Sequence, residues 1–109
     1  NSQSIKQILD DFNSDFLKIT LDIGHANLTQ ISAVKYLREL KNDIVHLHIN
    51  DNFGKEDEHL IPGAGNINYN KLFKTINDVN FNKVGIFEIW ALNDTNQALI
   101  DCKKYIDSL

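Results

Sequence analysis

Three side chains of metal-ligand type stand at the ends of short apolar segments of the chain. Asp22 closes the segment FLKITLD, His48 lies near the end of IVHLHIN, and Glu88 lies near the end of KVGIFEI. Two carboxylates and one imidazole suit Zn²⁺, Mn²⁺ or Fe²⁺ better than Ca²⁺, which prefers sites made of oxygen alone. These residues predict a divalent metal centre, provided that the fold brings the three segment ends together.

Two further features place an acid close to a histidine. The first is a D-x-x-H motif that ends in His25, where Gly24 is predicted to permit a sharp bend that turns the histidine back. The second is the pair Asp57 and His59, which point the same way if that stretch is extended. The alternative for this pair is a solvated run of charges over residues 55–58, and composition favours that alternative.

Four other residues or motifs have a structural and a functional interpretation. A histidine such as His46 is more often a hydrogen-bonded structural residue than a ligand. The run Gly63-Ala64-Gly65 could offer backbone N–H groups to a phosphate, but a plain turn is the better interpretation. Trp90 either walls a sugar pocket or packs at a strand end, and Cys102 is predicted to be a small core residue.

Helical and strand patterns alternate along the chain and must position these groups. Helices are predicted over 4–13, 29–41, 69–79 and 95–108, with Ser4 and Thr29 as N-caps, strands over 16–22, 44–50 and 83–89, and a long loop over 51–67. This order implies right-handed crossovers and a parallel sheet, in which functional groups gather at the carboxyl ends of the strands. Alternation in the middle strand assigns opposite faces to two sets of residues: Val45, Leu47 and Ile49 against His46, His48 and Asn50.

Length and composition exclude several classes of protein. The chain has 109 residues, 42% hydrophobic and 24% charged, which is typical of one globular domain or a piece of one. It has neither an apolar stretch long enough to span a membrane nor a signal pattern, and its single cysteine favours a reducing compartment, so we expect a cytoplasmic protein. The net charge of −4 disfavours nucleic acid. Because residue 1 is Asn and the chain has no methionine, we expect a fragment of a longer protein.

Three segments together resemble the xylose isomerase-like TIM barrels: LDIGHANL (21–28), HLHINDNFGKEDEHLIPGAGNINY (46–69) and FEIW (87–90). This superfamily includes sugar and sugar-phosphate isomerases and epimerases, and apurinic endonucleases of the endonuclease IV type. The resemblance runs from about residue 5 to the end of the chain. It implies that residues 1–109 are the C-terminal segment of such a domain, an α/β partial (β/α)₈ barrel with about three parallel strands alternating with helices.

The resemblance also implies roles for the candidate residues. Asp22, His48 and Glu88 match ligands of a divalent metal (Mn²⁺, Zn²⁺ or Mg²⁺), and no organic cofactor is expected. Glu88 and His25 match catalytic residues, while His25, Asp51 and Trp90 match substrate-binding positions. In the endonucleases, the residues that match His25, Asp57 and His59 hold further zinc.

Two departures from the family pattern limit what this chain does by itself. The family draws additional ligands, including another glutamate, from strands that would precede residue 1, so we expect the chain alone to be inactive. Glu58 stands where the endonucleases carry an arginine, and an acidic residue there would repel a phosphate backbone.

The expected function is therefore that of a fragment of a metal-dependent sugar or sugar-phosphate isomerase or epimerase. Such an enzyme acts by proton transfer through a metal-stabilised enediolate, on a small sugar or sugar phosphate. Two alternatives are a fragment of a zinc-dependent endonuclease IV-type apurinic endonuclease and a non-catalytic half-barrel module. The module would form a homo-oligomer through its open sheet edges.

Overall fold

Helices and strands alternate along the chain in a computed structural model that describes residues 1–90 and 93–109. The elements, in chain order, are α1 (Ser2–Phe12), β1 (Ile19–Asp22), α2 (Ile23–Leu28), α3 (Ala33–Leu40), β2 (Ile44–Ile49), α4 (Tyr69–Asp78), β3 (Val84–Phe87) and α5 (Thr95–Asp107). The three strands form one parallel sheet in the order β1-β2-β3. The predicted α/β chain with three parallel strands is confirmed.

The register of the sheet decides which side chains meet at its carboxyl edge. Asp22 of β1 lies opposite His48 of β2. On the other side, Ile49 pairs with Phe87, and the N–H of Glu88 donates to the carbonyl of Ile49 at 3.1 Å. All three strands therefore end at the same level, and their last polar residues lie side by side.

One face of the sheet carries the apolar core. Leu21, Leu47 and Ile49 are buried in one cluster with Leu37 and Leu72, two of the buried apolar residues of α3 and α4. Polar residues of the strands alternate onto the other face, as the period-two pattern predicts. Hydrophobic burial thus orients the polar set away from the helices.

The predicted alternation in β2 fails at the start of the strand. Val45 is half-exposed because the register shifts there: Ile19 pairs with Ile44, but the next residue of β1 pairs with His46. Asn50, which follows the last residue of β2, is fully buried, and its amide donates to Asp22 Oδ1 at 3.4 Å beside the polar residues of the strand ends. A period-two pattern holds only while the pairing register stays regular.

The first half of the chain differs from the sequence prediction in its helix boundaries. The predicted helix over 29–41 begins later, because α3 follows an N-cap at Ser32. Thr29 is the C-cap of α2, a helix that the pattern does not predict, and not the N-cap of the next helix. Helix α1 is capped by Asn1, not by Ser4, because the Asn1 side chain accepts from the Ser4 N–H at 3.0 Å. Strand β1 begins three residues later than predicted, at Ile19.

The sheet has an unpaired side on each outer strand within the described residues, since β1 and β3 each pair only with β2. On β3, Val84 and Ile86 are largely exposed. Among the described helices, none is long and apolar enough to cross a membrane.

Replacing Tyr69 with phenylalanine is expected to lower the free energy of unfolding by about 1–3 kcal/mol. Tyr69 is buried, and its hydroxyl donates to the carbonyl of Asn50 at 2.7 Å. Burial also raises the pKa of Tyr69 far above its usual value. The variant leaves a buried carbonyl without its donor, which urea denaturation would report. The half-buried Tyr105 supplies the control, and an equal loss in Tyr105→Phe would contradict this role of the hydroxyl.

Candidate functional site

The structure brings together the three residues predicted as metal ligands. One ligand atom from each of Asp22, His48 and Glu88 lies within 4.8 Å of the others. His48 Nδ1 is 2.8 Å from Glu88 Oε2 and 3.7 Å from Asp22 Oδ2. Because each residue comes from the end of a different strand, the parallel register builds this cluster, which we call the strand-end cluster. Two carboxylates and one imidazole fit a divalent transition ion.

Asp22 is held by bonds to one of its two carboxylate oxygens. Oδ1 accepts the backbone N–H of His25 at 2.9 Å as the N-cap of α2, and it accepts Asn50 Nδ2 at 3.4 Å. The other oxygen, Oδ2, faces His48 and the ring of His25. A carboxylate fixed in this way presents one defined oxygen to an ion, as outer hydrogen bonds commonly do for metal ligands.

Gly24 is required in this sequence, but not for the sharp bend that was predicted there. Gly24 lies inside helix α2, and the glycines with positive φ are Gly54 and Gly63, so no left-handed bend occurs at Gly24. A Cβ at Gly24 would lie 1.8 Å from Asn50 Oδ1. Glycine is therefore required because the Asn50 side chain packs directly against α2, and the first turn of that helix is what places His25.

A second cluster, which we call the loop cluster, consists of His25, Asp57 and His59. His25 Nε2 donates to Asp57 Oδ2 at 3.0 Å, and His59 Nε2 lies 3.2 Å from Asp57 Oδ1. The stretch is not extended as predicted, because His59 has a φ of 47°, yet the two side chains still converge. His59 is 6% exposed and Asp57 is partly buried, whereas Lys55 and Glu56 are exposed, so only the start of the charged run 55–58 is fully solvated.

Hydrogen bonding shifts the titration of two members of the loop cluster. The hydrogen bond to Asp57 raises the pKa of His25, while partial burial opposes that shift. Desolvation by itself would raise the pKa of Asp57, but the His25 hydrogen bond lowers it, and so does attraction to His59 when that ring is protonated. The two clusters adjoin, since His25 Nδ1 is 3.4 Å from Asp22 Oδ2.

His59 connects the loop cluster to the end of β3. Its Nδ1–H donates to the carbonyl of Glu88 at 2.8 Å, so the lone pair of a neutral His59 is on Nε2, the atom beside Asp57. Among the described residues, the buried Asp57 Oδ1 has no hydrogen-bond partner, although His59 Nε2 lies 3.2 Å from it. Two unshared acceptor atoms that face each other in a partly buried place fit a bound cation between them.

Trp90 packs on His59 and also faces solvent. The two rings are stacked at a centroid distance of 4.6 Å and an interplanar angle of 10°, and the N–H of Trp90 donates to the carbonyl of His59. Trp90 is 64% exposed. It therefore packs at the end of the strand and leaves apolar surface beside both clusters, so its predicted contact with a sugar stays a prediction.

Asp51, which matches a substrate-binding position, lies beneath the loop and has no exposed surface. Its Oδ2 accepts the backbone N–H groups of Gly63 and Gly65 at 2.9 and 3.0 Å. The N–H groups that a phosphate would need are thus bonded to a carboxylate of the chain itself. The turn interpretation fits this segment, in which Gly63 has a φ of 88°.

His46 does not have the hydrogen bonds expected of a structural histidine. Its Nε2 is buried and has no hydrogen-bond partner in the part of the chain that the structure describes. Its ring meets the ring of His48 edge to face at 5.3 Å. His46 therefore lies next to the strand-end cluster without belonging to it.

A group of hydrogen-bonded asparagines beside the clusters, two of them buried, was not predicted. Asn27 Nδ2 donates to Asn52 Oδ1 and to Asn66 Oδ1, both at 2.8 Å, and Asn52 Nδ2 donates to the carbonyl of Gly24 at 3.0 Å. These bonds tie α2 to the loop. The only local signal was the polar run that follows β2 directly, in which Asn50 and Asn52 are fully buried.

Comparison with known proteins decides the family. The profile of the xylose isomerase-like TIM barrels matches residues 1–107. The chain belongs to this family. Its three parallel strands with their helices are thus part of a (β/α)₈ barrel, which needs eight such units.

Two relatives illustrate the range of similarity within the family. An uncharacterised protein of Methanocaldococcus jannaschii is 33% identical over 108 residues, which are 96% of this chain and 36% of the relative. The D-psicose 3-epimerase of Enterocloster bolteae is 25% identical over 84 residues, which are 77% of this chain and 26% of that enzyme. The chain therefore spans about a third of the relatives' length.

Solved structures show the same barrel segment. A D-tagatose 3-epimerase-like protein superposes with a TM-score of 0.79 at 30% identity, covering 99% of this chain and 42% of that one. The 3-keto-D-glucoside 4-epimerase of E. coli superposes with a TM-score of 0.78 at 19% identity, which shows the fold alone, and the match covers 40% of its chain. Structural neighbours of this xylose isomerase-like segment are thus sugar epimerases.

Proposed function

We propose that this chain is the C-terminal, metal-binding part of a divalent-metal-dependent sugar epimerase or isomerase. The observation that carries the proposal is the strand-end cluster, in which Asp22, His48 and Glu88 converge from three neighbouring strands. The similarity to a D-psicose 3-epimerase and to a D-tagatose 3-epimerase-like protein supports a small sugar as substrate. A cytoplasmic location belongs to the same proposal, since the chain's one cysteine is buried and unpaired.

The donor set fits Mn²⁺, Zn²⁺ or Mg²⁺, held by Asp22 Oδ2, an imidazole nitrogen of His48 and the carboxylate of Glu88. When bound, such an ion supplies a Lewis acid that stabilises the enediolate formed next to a sugar carbonyl. Further ligands would come from strands outside this chain.

The chain's own residues supply proton transfer and orientation. Glu88 is half-exposed at the carboxyl edge, where it can take the proton from the carbon next to the carbonyl. His25 is exposed beside it and can hydrogen-bond a substrate oxygen. The free surface of Trp90 can cover the apolar side of a sugar ring. A second acid, needed on the opposite face of the carbon, would come from the rest of the barrel.

Charge near the site favours an unphosphorylated sugar. The N–H groups of Gly63 and Gly65 already bind the carboxylate of Asp51. The loop beside them carries the acidic residues Glu56 and Glu58. Among the described residues, the loop after β2 therefore offers no free glycine-rich cradle to a phosphate.

Metal binding is the first experiment, and the 109-residue chain is expected to bind about one Mn²⁺ or Zn²⁺ at the strand-end cluster. Titration calorimetry and elemental analysis would measure it. The double variant Asp22→Ala/His48→Ala should lose this binding, because it removes two of three ligands. His46→Ala is the matched control, since it removes an imidazole of the same strand outside the cluster. Equal binding by the double variant would contradict the site.

The endonuclease alternative is favoured by one observation, the unshared Asp57 Oδ1 beside His59 Nε2 in the loop cluster. In that function the residues of the two clusters would hold about three zinc ions, which would supply the Lewis-acid chemistry for hydrolysis of a phosphodiester beside an abasic sugar. Stoichiometry separates the two functions, and so does cleavage of abasic DNA. Glu58 and the net charge of −4 weigh against nucleic acid.

The non-catalytic half-barrel rests on the exposed apolar residues Val84 and Ile86 of the outer strand β3. Light scattering would measure the mass in solution. A strict monomer would count against a homo-oligomer that forms through the sheet edges.

A further inference from the structure

We propose that Asp51 is a positioning residue, a carboxylate that clasps the loop of residues 52–67 and thereby holds the end of β3 in place. Any effect of Asp51 on catalysis rests on the proposed function, because Glu88 and Trp90 contact a substrate only if the protein is a sugar epimerase or isomerase. Its hydrogen bonds and its burial indicate that Asp51 holds the loop of residues 52–67. This positioning role differs from the substrate contact that the resemblance implied for Asp51.

The first argument is the environment of a fully buried carboxylate. Asp51 has no exposed surface, and burying a charged group is unfavourable unless hydrogen bonds replace its water. Four backbone N–H groups do so: those of Gly63 and Gly65 on Oδ2, and those of Asn52 and Ile67 on Oδ1 at 2.9 and 3.2 Å. A carboxylate with this many donors is a strong anchor for the segment that supplies them.

The second argument is that the same residue also binds the loop through its backbone. The N–H of Asp51 donates to the carbonyl of Leu60, and the N–H of Leu60 donates to the carbonyl of Asp51, both at 2.8 Å. Backbone and side chain of one residue thus tie down the loop at two places. The fit is close: a Cβ on Gly65 would lie 2.4 Å from Asp51 Oδ1 and from the carbonyl oxygen of Asn52.

The third argument follows the contacts from Asp51 to the site. Leu60, which Asp51 fixes, comes directly after His59. His59 donates to the carbonyl of Glu88 and stacks on Trp90. Asp51 therefore acts on Glu88 and Trp90 through the loop. Its carboxylate bonds are all to backbone N–H groups of the segment 52–67.

The test compares Asp51→Asn with the unaltered 109-residue chain, metal-free and without substrate. Asparagine has the same size but turns one acceptor oxygen into an N–H₂ donor. We expect the amide protons of Gly63, Gly65 and Ile67 to exchange about 10- to 100-fold faster with solvent, while those of Leu47 in β2 keep their protection. Asp78→Asn, an exposed carboxylate on α4, is the control and should change neither set.

The fluorescence of Trp90 reports whether the contacts that lead from Asp51 to the site are loosened. Trp90 is the one tryptophan in the sequence. Since its ring stacks on His59, loosening the loop should increase quenching of its fluorescence by acrylamide in Asp51→Asn and not in Asp78→Asn. A residue that only stabilised the fold as a whole would instead speed exchange in β2 and in the loop alike.

If Asp51→Asn does not fold, amide exchange in the unaltered chain still tests the proposal. The amides of Gly63, Gly65 and Ile67 should exchange more slowly than those of Lys55 and Asp57, which have no acceptor among the described residues. Equal exchange of the two sets would overturn the clasp, as would unchanged or uniformly faster exchange in Asp51→Asn. Since no metal or sugar is present, failure of the epimerase assay would leave these results intact.

Discussion

Glutamine in place of Glu88 is expected to reduce sugar epimerisation by about 10²- to 10⁴-fold, the usual contribution of a general acid or base. The amide has the same shape as the carboxylate, but it cannot accept the proton from the carbon next to the carbonyl. Asp22 and His48 remain, so some metal should stay bound. Exchange of that proton in deuterium oxide, with D-psicose and D-tagatose as probe sugars, measures the step directly.

The matched control for this prediction is Glu56→Gln. Glu56 is an exposed acid on the loop of residues 52–67, so its replacement makes the same change of charge outside the cluster. We expect the control to keep its activity. Because the chain spans about a third of its relatives' length, the assay needs a protein that contains the whole barrel. If Glu88→Gln there retains most of its turnover, Glu88 is not the base.

The second large effect is expected for Gly24→Ala, which should cost about 1–3 kcal/mol or more of folding free energy, as overpacking of a filled interior does. The new Cβ would lie 1.8 Å from Asn50 Oδ1 and 3.1 Å from Asn52 Nδ2. Neither amide can move away easily, since both are fully buried, and the backbone carbonyl of Asn50 is bonded to Tyr69. Displacing Asn50 should also weaken metal binding, because its amide bonds Asp22.

Gly85→Ala, in strand β3, provides the control. Its Cβ would lie 2.8 Å from Ile49 Cδ1, the far end of a flexible side chain that can rotate away. We expect a loss below about 1 kcal/mol and unchanged metal affinity. Urea denaturation and Mn²⁺ titration measure both variants. The double variant Gly24→Ala/Asn50→Ala should lose less than the sum of the single losses, and strict additivity would contradict a direct clash.

The main site was predictable because its signals are local. A period-two pattern marks each strand within a few residues, and the alternation with helices implies that the strands are parallel. Parallel strands end at a common edge, which places Asp22, His48 and Glu88 together without knowledge of any long-range contact. The prediction of the fold class and of this convergence needed no more than those two facts.

The errors concern residues whose roles depend on distant partners. Helix α2 has six residues, too few for a periodic pattern to detect. The sequence pattern predicts Asp22 as a strand end and metal ligand, but it does not indicate that Asp22 is also the N-cap of this helix. Gly24 is explained by Asn50, which follows it by 26 positions along the chain. His59 adopts a left-handed backbone conformation that the preceding run of three acidic residues does not indicate.

The sequence by itself determined the alternation of helices and strands, apart from the short helix α2, and the position of the three candidate ligands at the carboxyl edge of the sheet, because hydrophobic periodicity is a property of neighbouring residues. Only the tertiary structure decided that Asp51 is a buried anchor, that Asn50 orients Asp22, and that His59 connects the loop to Glu88 and Trp90. The physical reason is that a buried polar group must find its hydrogen-bond partners wherever the folded chain brings them, and those partners lie far away in sequence.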